Sequence, residues 1–349
     1  MRVRRVAILG ASGLVAQRFQ QRLSNHPWFE LVAVYGSPRT AGMNLSDLKW
    51  HLPEPRPDFP EMEIRSMDSL MDDRKEFEIV FSALPSEIAV DIEKPLAEVG
   101  LFVFSNASTH RMDDDVPLVV ADLNPHHLLL LSEQKASIGF VACSTNCTIV
   151  PAALPLKPLW DFIGLDGVSI TTEQSLSGGG IDLLTNYRET NEHAIEIPGE
   201  AEKIREECLS LLGRVQVEGV RSANFPVEVS VRRVNREYGH IVNVTAKLHS
   251  EKNEQEVVEW MKHYRSRPQA LKLPSAPDAP FVFVDELIPT SMSDPASDLK
   301  AGMAVRISEF NVEGDIVSFR AWSENTIRGA AGGTVLLAEL ALAEGMLGE

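Results

Sequence analysis

Near its start the chain carries apolar residues in short runs, each closed by small residues and followed by a helical pattern. "RRVAILGASGLVAQRFQQRL" reads as a strand, a glycine turn and a helix in which Val15, Phe19 and Leu23 recur every four residues on one face. "FELVAVY" is the next strand, over 29–35, and it ends in the turn Gly36-Ser37-Pro38-Arg39-Thr40. "FEIVFSALPSEIA" is a further strand leading into small residues and a helix, and "VGLFVFSNAS" is one more strand. Strands that alternate with helices in this way predict a parallel, doubly wound sheet.

The second half has a different pattern. "GVSITTEQ" alternates apolar and polar residues over 167–174, a half-buried strand, and runs into the flexible turn Gly178-Gly179-Gly180. "EIPGEAEKIREECLSLLG" opens on Pro198-Gly199 and continues as a helix. "SVRRVNREYGHIVNVTAKLHS" is a strand, a turn and a second strand, with His240 directly after Gly239. At the end, "SENTIRGAAGGTVLLAELALAEGML" is a glycine-rich turn and a long apolar helix, which predicts a helix returning to the first sheet. Two units follow: residues 1–147, joined by the helix of 326–349, and residues 148–325.

Composition narrows the class. The chain has 349 residues, 44% hydrophobic and 24% charged, enough to bury a sizeable core. Three cysteines make no disulfide framework and point to a reducing, cytoplasmic setting. The N-terminus reads as a first strand, and no run reaches the ~20 apolar residues of a membrane span. A net charge of −17 argues against nucleic acid as a partner. An anionic substrate would need a local cluster of Arg and Lys against that global field.

Several stretches carry chemistry. Gly10, Gly13 and Ala16 stand as G-x-x-G-x-x-A between strand and helix, where bare backbone amides can approach a phosphate. The second strand ends without the acidic residue that favours NAD; Ser37, Arg39 and Thr40 suit the 2′-phosphate of NADP instead. "CSTNCT", residues 143–148, lacks a second Cys/His pair at metal spacing, so a nucleophile is the better reading than a zinc clip. Cys147, at an expected helix start, is favoured over Cys143, and the helix dipole is expected to lower its pKa. His240 at a strand start suits a general base. Gln174 can orient a thiol-bound intermediate, and Asn325 stands where it could reach a nicotinamide. Asp113–Asp115 reads as a solvated turn, and His110, His126, His127 and His193 read as loop residues.

Together these pieces resemble the aspartate-β-semialdehyde dehydrogenases of the archaeal and fungal-like branch. "LGASGLVAQRF", "SPRTAG", "SNASTHRM", "DVPLV", "NCT", "GEAEK", "RV…GH" and "RGAAGG" occur in family order over nearly the whole chain. Gln174 follows Cys147 by 27 residues and His240 follows Arg233 by seven, as in that family. The resemblance implies an α/β fold, with a Rossmann-type domain, an α+β catalytic and dimerisation domain, and a C-terminal helix returning to the first. It implies Cys147 as nucleophile, His240 as acid/base and Gln174 as the orienting amide. Arg233 would hold the substrate carboxylate and Glu200 its amino group, with Arg111, Asn146 and Lys203 on phosphate. NADP would lie against Gly10, Ser12, Gly13, Leu14, Val15, Ser37, Arg39, Thr40, Ser82, Ala83, Gly178 and Asn325. The implied reaction converts L-aspartyl 4-phosphate to the semialdehyde through a thioester, in lysine, threonine and methionine synthesis. The implied assembly is a homodimer or homotetramer, and the resemblance calls for no metal.

The chain departs from the family at four places: Ala16 for Gly, Ser144-Thr145 for Asn-Pro, Gly179–Asp182 for a tyrosine-containing loop, and Val234-Asn235-Arg236 before the histidine. The last two lie near the expected substrate pocket, and Arg236 adds a cation that could meet a larger anion. A malonyl-CoA reductase of the same branch is therefore the alternative, and a non-catalytic nucleotide-binding paralogue a further one.

Overall fold

A computed structural model describes residues 2–134, 138–216 and 219–348. Its first half alternates strand and helix: β1 (Arg4–Leu9), α1 (Leu14–Leu23), β2 (Phe29–Gly36), β3 (Ile64–Ser66), α2 (Leu70–Asp73), β4 (Ile79–Ser82), α3 (Ser86–Glu98), β5 (Phe102–Ser105) and β6 (Phe140–Cys143). The six strands form one parallel sheet in the order β3-β2-β1-β4-β5-β6. The order reverses between β1 and β4, so a crevice opens there beyond the carboxyl ends of the strands. The doubly wound sheet expected from the strand–helix alternation is present.

The rest of the chain runs α4 (Val150–Phe162), β7 (Leu165–Gln174), α5 (Gly180–Thr190), α6 (Glu200–Leu211), the hairpin β8 (Arg214–Gln216) and β9 (Gly219–Arg221), β10 (Val227–Arg233), β11 (His240–Leu248), α7 (Glu254–His263), α8 (Arg267–Leu271), β12 (Phe281–Phe283), β13 (Val305–Glu313), β14 (Ile316–Ser323) and α9 (Gly332–Ala343). Six of these strands make a mixed sheet in the order β10-β7-β11-β14-β13-β12. β11 is antiparallel to both neighbours, which sets His240 against Ser323 and beside the ends of β7 and β10. Ala152, Ala153 and Leu156 of α4 join Leu9, Val80 and Val103 of the first sheet to Ile170, Val244 and Phe319 of the second in one core.

The C-terminal helix returns to the first sheet. Val335, Leu336, Leu337 and Leu340 are completely buried with Val6, Phe19, Phe81 and Phe104, each side chain worth roughly 1.5–3 kcal/mol of burial. It starts later than its apolar run suggests, because Ile327–Ala331 forms a wide turn with Ala330 out of helical geometry. In α1 the polar side is buried as well as the apolar one. Arg18 pairs with Glu54 and reaches Thr326 and Glu324, while Arg22 is caged by the carbonyls of Pro295, Asp298, Leu299 and Ala301. Sequence periodicity shows the apolar stripe, but not that later loops cover the other face. Two histidines expected in loops are also buried: His110, bonded to Asp113, and His127, on a short 3₁₀ turn.

Candidate active site

Four segments meet at the carboxyl end of the first sheet. The turn after β6 carries Asn146 and Cys147, the end of β7 carries Gln174 and Ser175, α6 carries Glu200 and Glu207, and the β10–β11 connection carries Arg233 and His240. Cys147 Sγ lies 3.2 Å from His240 Nε2, although 93 residues separate the two. His240 is fully buried, and its other ring nitrogen accepts the Ser175 backbone N–H at 3.0 Å. Gly239 before it has φ 81°, and a Cβ there would stand 2.1 Å from Trp322 Nε1, so both conformation and space demand glycine. A Cβ on Gly329 would stand 2.6 Å from the Cys147 Cβ, so backbone closes over the thiol from that side.

The amides are fastened. Asn146 Nδ2 donates to Glu200 Oε1 at 2.9 Å while its Oδ1 accepts the Thr148 N–H at 2.8 Å. Gln174 Nε2 donates to the same Glu200 oxygen at 3.2 Å. Glu200 thus joins the two amides the sequence assigned separately.

Glu207 was not singled out in the sequence, yet it holds the nucleophile turn. It is buried; its Oε2 accepts the Thr145 hydroxyl at 2.7 Å and the Asn146 N–H at 2.6 Å, and its Oε1 accepts Arg111 at 3.0 Å. The available signal was its spacing, seven residues from Glu200 and hence on the same helical face. Arg111 also donates to the Asn106 carbonyl at 2.9 Å. Arg233, nearly buried at 9% exposure, donates only to the Ser175 carbonyl, at 2.8 Å, and forms no ion pair among the described residues. Lys203 is exposed on α6, one turn from Glu200. Arg236, expected as an extra pocket cation, is spent on the backbone: its Nε bonds the Gly239 carbonyl at 2.7 Å and its Nη2 the Glu173 carbonyl at 2.9 Å.

Electrostatics overturn one expectation. α4 begins at Val150, so Cys147 lies in the turn before the helix. Burial, reinforced by the Glu200 charge, pushes its thiol up to about 12. Burial, with Arg236 and Arg233 adding to it, pushes the His240 imidazolium down to about 3. Both shifts favour the neutral pair, a thiol beside an imidazole.

Gly10 and Gly13 shape the crevice at the carboxyl ends of β1 and β4. Gly10 has φ 94° and a Cβ there would stand 2.7 Å from the Ala83 carbonyl, so only glycine lets the β1 and β4 loops meet. Gly13 caps α1 without a side-chain bond, which leaves the first amides of the helix, from Leu14 and Val15 on, without capping partners. Ser37 to Thr40 form a tight turn in which the amides of Thr40 and Ala41 bond the Ser37 carbonyl. Arg39 is exposed there and makes no ion pair among the described residues. Ser82 is buried at the end of β4, and Ser12 is exposed in the β1 loop. This donor set, bare amides plus an unengaged guanidinium, fits a dinucleotide with an additional phosphate. Asn325 and Gly178 lie on the catalytic side, and Asn325 Oδ1 accepts the Gly239 N–H at 2.8 Å.

Cavity volume does not lead to this place. One open cavity of about 540 Å³ is lined by residues such as Arg265, Lys272 and Lys300 and touches none of the site. The converging titratable groups are the better guide, because chemistry needs their geometry and an open surface dimple does not supply it. Among the described residues no three acidic, histidine or cysteine side chains are grouped to hold a metal, and no helix is long and apolar enough to cross a membrane.

Residues 5–131 match the family profile described as semialdehyde dehydrogenase, NAD binding domain. The chain is 35% identical to an aspartate-semialdehyde dehydrogenase of Archaeoglobus fulgidus, over 97% of this chain and 98% of that one. It is 31% identical to a malonyl CoA reductase (NADP) of Metallosphaera sedula, over 99% of each. The crystal structure of aspartate semialdehyde dehydrogenase with NADP from Candida albicans superposes with a TM-score of 0.83 at 29% identity, covering 99% of both chains.

Proposed function

This chain belongs to the aspartate-semialdehyde dehydrogenase family of enzymes, and we propose that it reduces L-aspartyl 4-phosphate to L-aspartate 4-semialdehyde with NADPH. The observation that carries this reading is the Cys147–His240 pair at 3.2 Å beside the unpaired guanidinium of Arg233. A carboxylate on Arg233 sets a four-carbon acyl phosphate with its reacting carbon toward the thiol. Glu200, which already accepts from two amides, offers its carboxylate to the substrate ammonium. Arg111, Lys203 and Asn146 serve the phosphate.

Cys147 sulfur attacks the acyl carbon and passes its proton to His240, and the carbon–oxygen bond to phosphate breaks. Gln174 orients the resulting thioester. NADPH would be held by Gly10, Ser12, Gly13, Leu14, Val15, Ser37, Arg39, Thr40, Ser82, Ala83, Gly178 and Asn325, and would supply the hydride for its reduction. His240 then gives its proton to the collapsing thiohemiacetal as the carbon–sulfur bond breaks. Residues 1–147 with the C-terminal helix are the nucleotide unit and 148–325 the catalytic unit. The polar outer face of the second sheet, with Ser169, Glu228, Arg232 and Thr245 exposed, supports pairing of two copies as a homodimer or within a homotetramer.

The Metallosphaera relative supports a second reading, reduction of malonyl-CoA by the same thiol. Arg236 no longer argues for it, since its guanidinium is held by two carbonyls. The test is NADP reduction by the purified protein with L-aspartate 4-semialdehyde. Phosphate-dependent turnover supports the first reading. No turnover, with malonyl-CoA oxidising NADPH, replaces it with the second.

A further inference from the structure

Ser175 is completely buried where β7 ends, and all its polar atoms are engaged. Its N–H donates to His240 Nδ1 at 3.0 Å, and its carbonyl accepts Arg233 at 2.8 Å. Its hydroxyl oxygen lies 3.1 Å from the same Nδ1 and 3.0 Å from Asn325 Oδ1.

Asn325 Oδ1 offers that hydroxyl an acceptor on the side away from the ring. The Gly239 N–H donates to Oδ1 at 2.8 Å, so that atom is the amide oxygen; a flipped amide would set two donors against each other. Nδ2 then donates to Ser177 Oγ at 3.0 Å. Oδ1 lies 3.0 Å from the Ser175 hydroxyl and 3.2 Å from the Ser177 hydroxyl, and the two hydroxyls are 3.1 Å apart; with the nearer one donating to Oδ1, Ser175 gives its single proton there and its lone pairs face His240.

Nδ1 therefore meets a donor and an acceptor from one residue. The resting ring, protonated at Nε2, receives the Ser175 N–H on the bare Nδ1. The working ring needs the opposite arrangement. To take the Cys147 proton at Nε2 it must carry its own proton on Nδ1, and that N–H requires an acceptor inside a dry site. Ser175 Oγ is in place for it. The charges bearing on the ring are the cations Arg236 and Arg233, which disfavour a protonated imidazole, and the Cys147 thiol on its far nitrogen; Glu200 acts through Cys147.

We propose that Ser175, its hydroxyl oriented by Asn325, is the positioning residue that gives His240 the Nδ1-protonated form needed to accept a proton from Cys147. This rests on the acid/base role of His240 given above.

The test uses the full chain with Ser175→Ala, which keeps the backbone donor and removes the acceptor. The rate of Cys147 alkylation by iodoacetamide is read against pH without substrate or cofactor, alongside the pH profile of turnover. One hydrogen bond to a group that becomes charged sets the scale, so alkylation at pH 7 should fall roughly tenfold. The acid limb of kcat/KM should move down by about one pH unit. Ser175→Thr, which retains the hydroxyl, should restore both. Asn325→Asp, which keeps an oxygen toward Gly239 and adds negative charge near the ring, should move the alkylation profile the other way. Ser175→Gly, which likewise keeps the backbone donor and lacks the hydroxyl, decides the matter if the alanine variant does not fold. Wild-type alkylation in Ser175→Ala, or a uniform loss of rate with the acid limb unmoved, overturns the proposal. Alkylation needs no substrate, so unmoved alkylation with intact semialdehyde turnover removes the role of Ser175 alone. Absent turnover with the expected alkylation change removes the substrate reading alone.

Discussion

Gly178→Ala is the sharpest probe of the catalytic geometry. A Cβ at position 178 would stand 2.9 Å from Cε1 and 3.1 Å from Nε2 of His240, and 3.5 Å from the Arg233 guanidinium. Comfortable contact between carbon atoms is about 3.5–4.0 Å, so the ring must give way by roughly 0.5–1 Å. It has little room to do so, because Ser175 holds Nδ1 from the other side and Gly239 is closed by Trp322. A displacement near 1 Å costs on the order of a hundredfold in rate, so kcat should fall about 30- to 100-fold. Overpacking should cost about 1–3 kcal/mol of stability, leaving the protein folded. Gly180→Ala is the control. Gly180 has φ 85° with open space around its Cβ position, so alanine there strains the backbone without touching the ring. Its kcat should stay near wild type while its stability drops. The assay is steady-state turnover with Cys147 alkylation as a substrate-free check. A Gly178→Ala enzyme within threefold of wild-type kcat would refute the assignment of His240 to this fixed position.

Three further outcomes follow from the same geometry. Glu207→Gln replaces a carboxylate oxygen by a donor facing either Arg111 or the Asn146 N–H; by the scale of a broken buried pair, discounted because Arg111 keeps the Asn106 carbonyl, it should cost about 2–3 kcal/mol in denaturant unfolding and raise the KM for phosphate. Arg39→Ala should raise the KM for NADPH about tenfold or more and leave that for NADH nearly unchanged, since only the former has a 2′-phosphate to meet a guanidinium; equal effects on both would remove Arg39 from the cofactor site. Burial holds His127 down to about 4 and His240 down to about 3, so the unfolded chain takes up protons that the folded one refuses, and stability is lost as pH falls below about 6.5. Between pH 7 and 5 the two together should cost about 3–4 kcal/mol in urea unfolding, and a His127→Asn variant should lose about half of that dependence.

The parts of the fold that were legible are those written in local periods. The strand–helix alternation of residues 4–105 gave the parallel sheet, because a period of two and a period near four survive in the sequence regardless of what packs against them. The roles of Glu207 and Ser175 were not legible. Each arises only when segments more than 60 residues apart close on one another: Thr145 with Glu207, and Ser175 with His240. The burial of Arg18 and Arg22 was hidden for the same reason.

At Cys147, position in the chain and burial pull the thiol in opposite directions. A cysteine near a helix start suggests stabilisation of the thiolate by the dipole, which falls off within the first turn and is worth up to ~2 kcal/mol. Desolvation opposes it and is the larger effect here, since α4 begins three residues later and the sulfur lies among buried groups with Glu200 nearby. Both shifts disfavour the ion pair and so favour proton transfer to His240 in step with attack on the acyl carbon. Arg236 is the complementary case. Its side chain can reach several ångströms in any direction, so its position in the sequence suggested a pocket cation, whereas the folded chain ties it to the carbonyls of Gly239 and Glu173. Among the described residues Arg233 is held only through the Ser175 carbonyl, which leaves its guanidinium hydrogen-bonding capacity to offer a substrate carboxylate. Arg233→Lys should therefore raise KM for the semialdehyde at least tenfold, because a single ammonium cannot reproduce the two parallel bonds of the fork, while leaving alkylation of Cys147 within about threefold of wild type. An unchanged KM would mean that the carboxylate binds elsewhere.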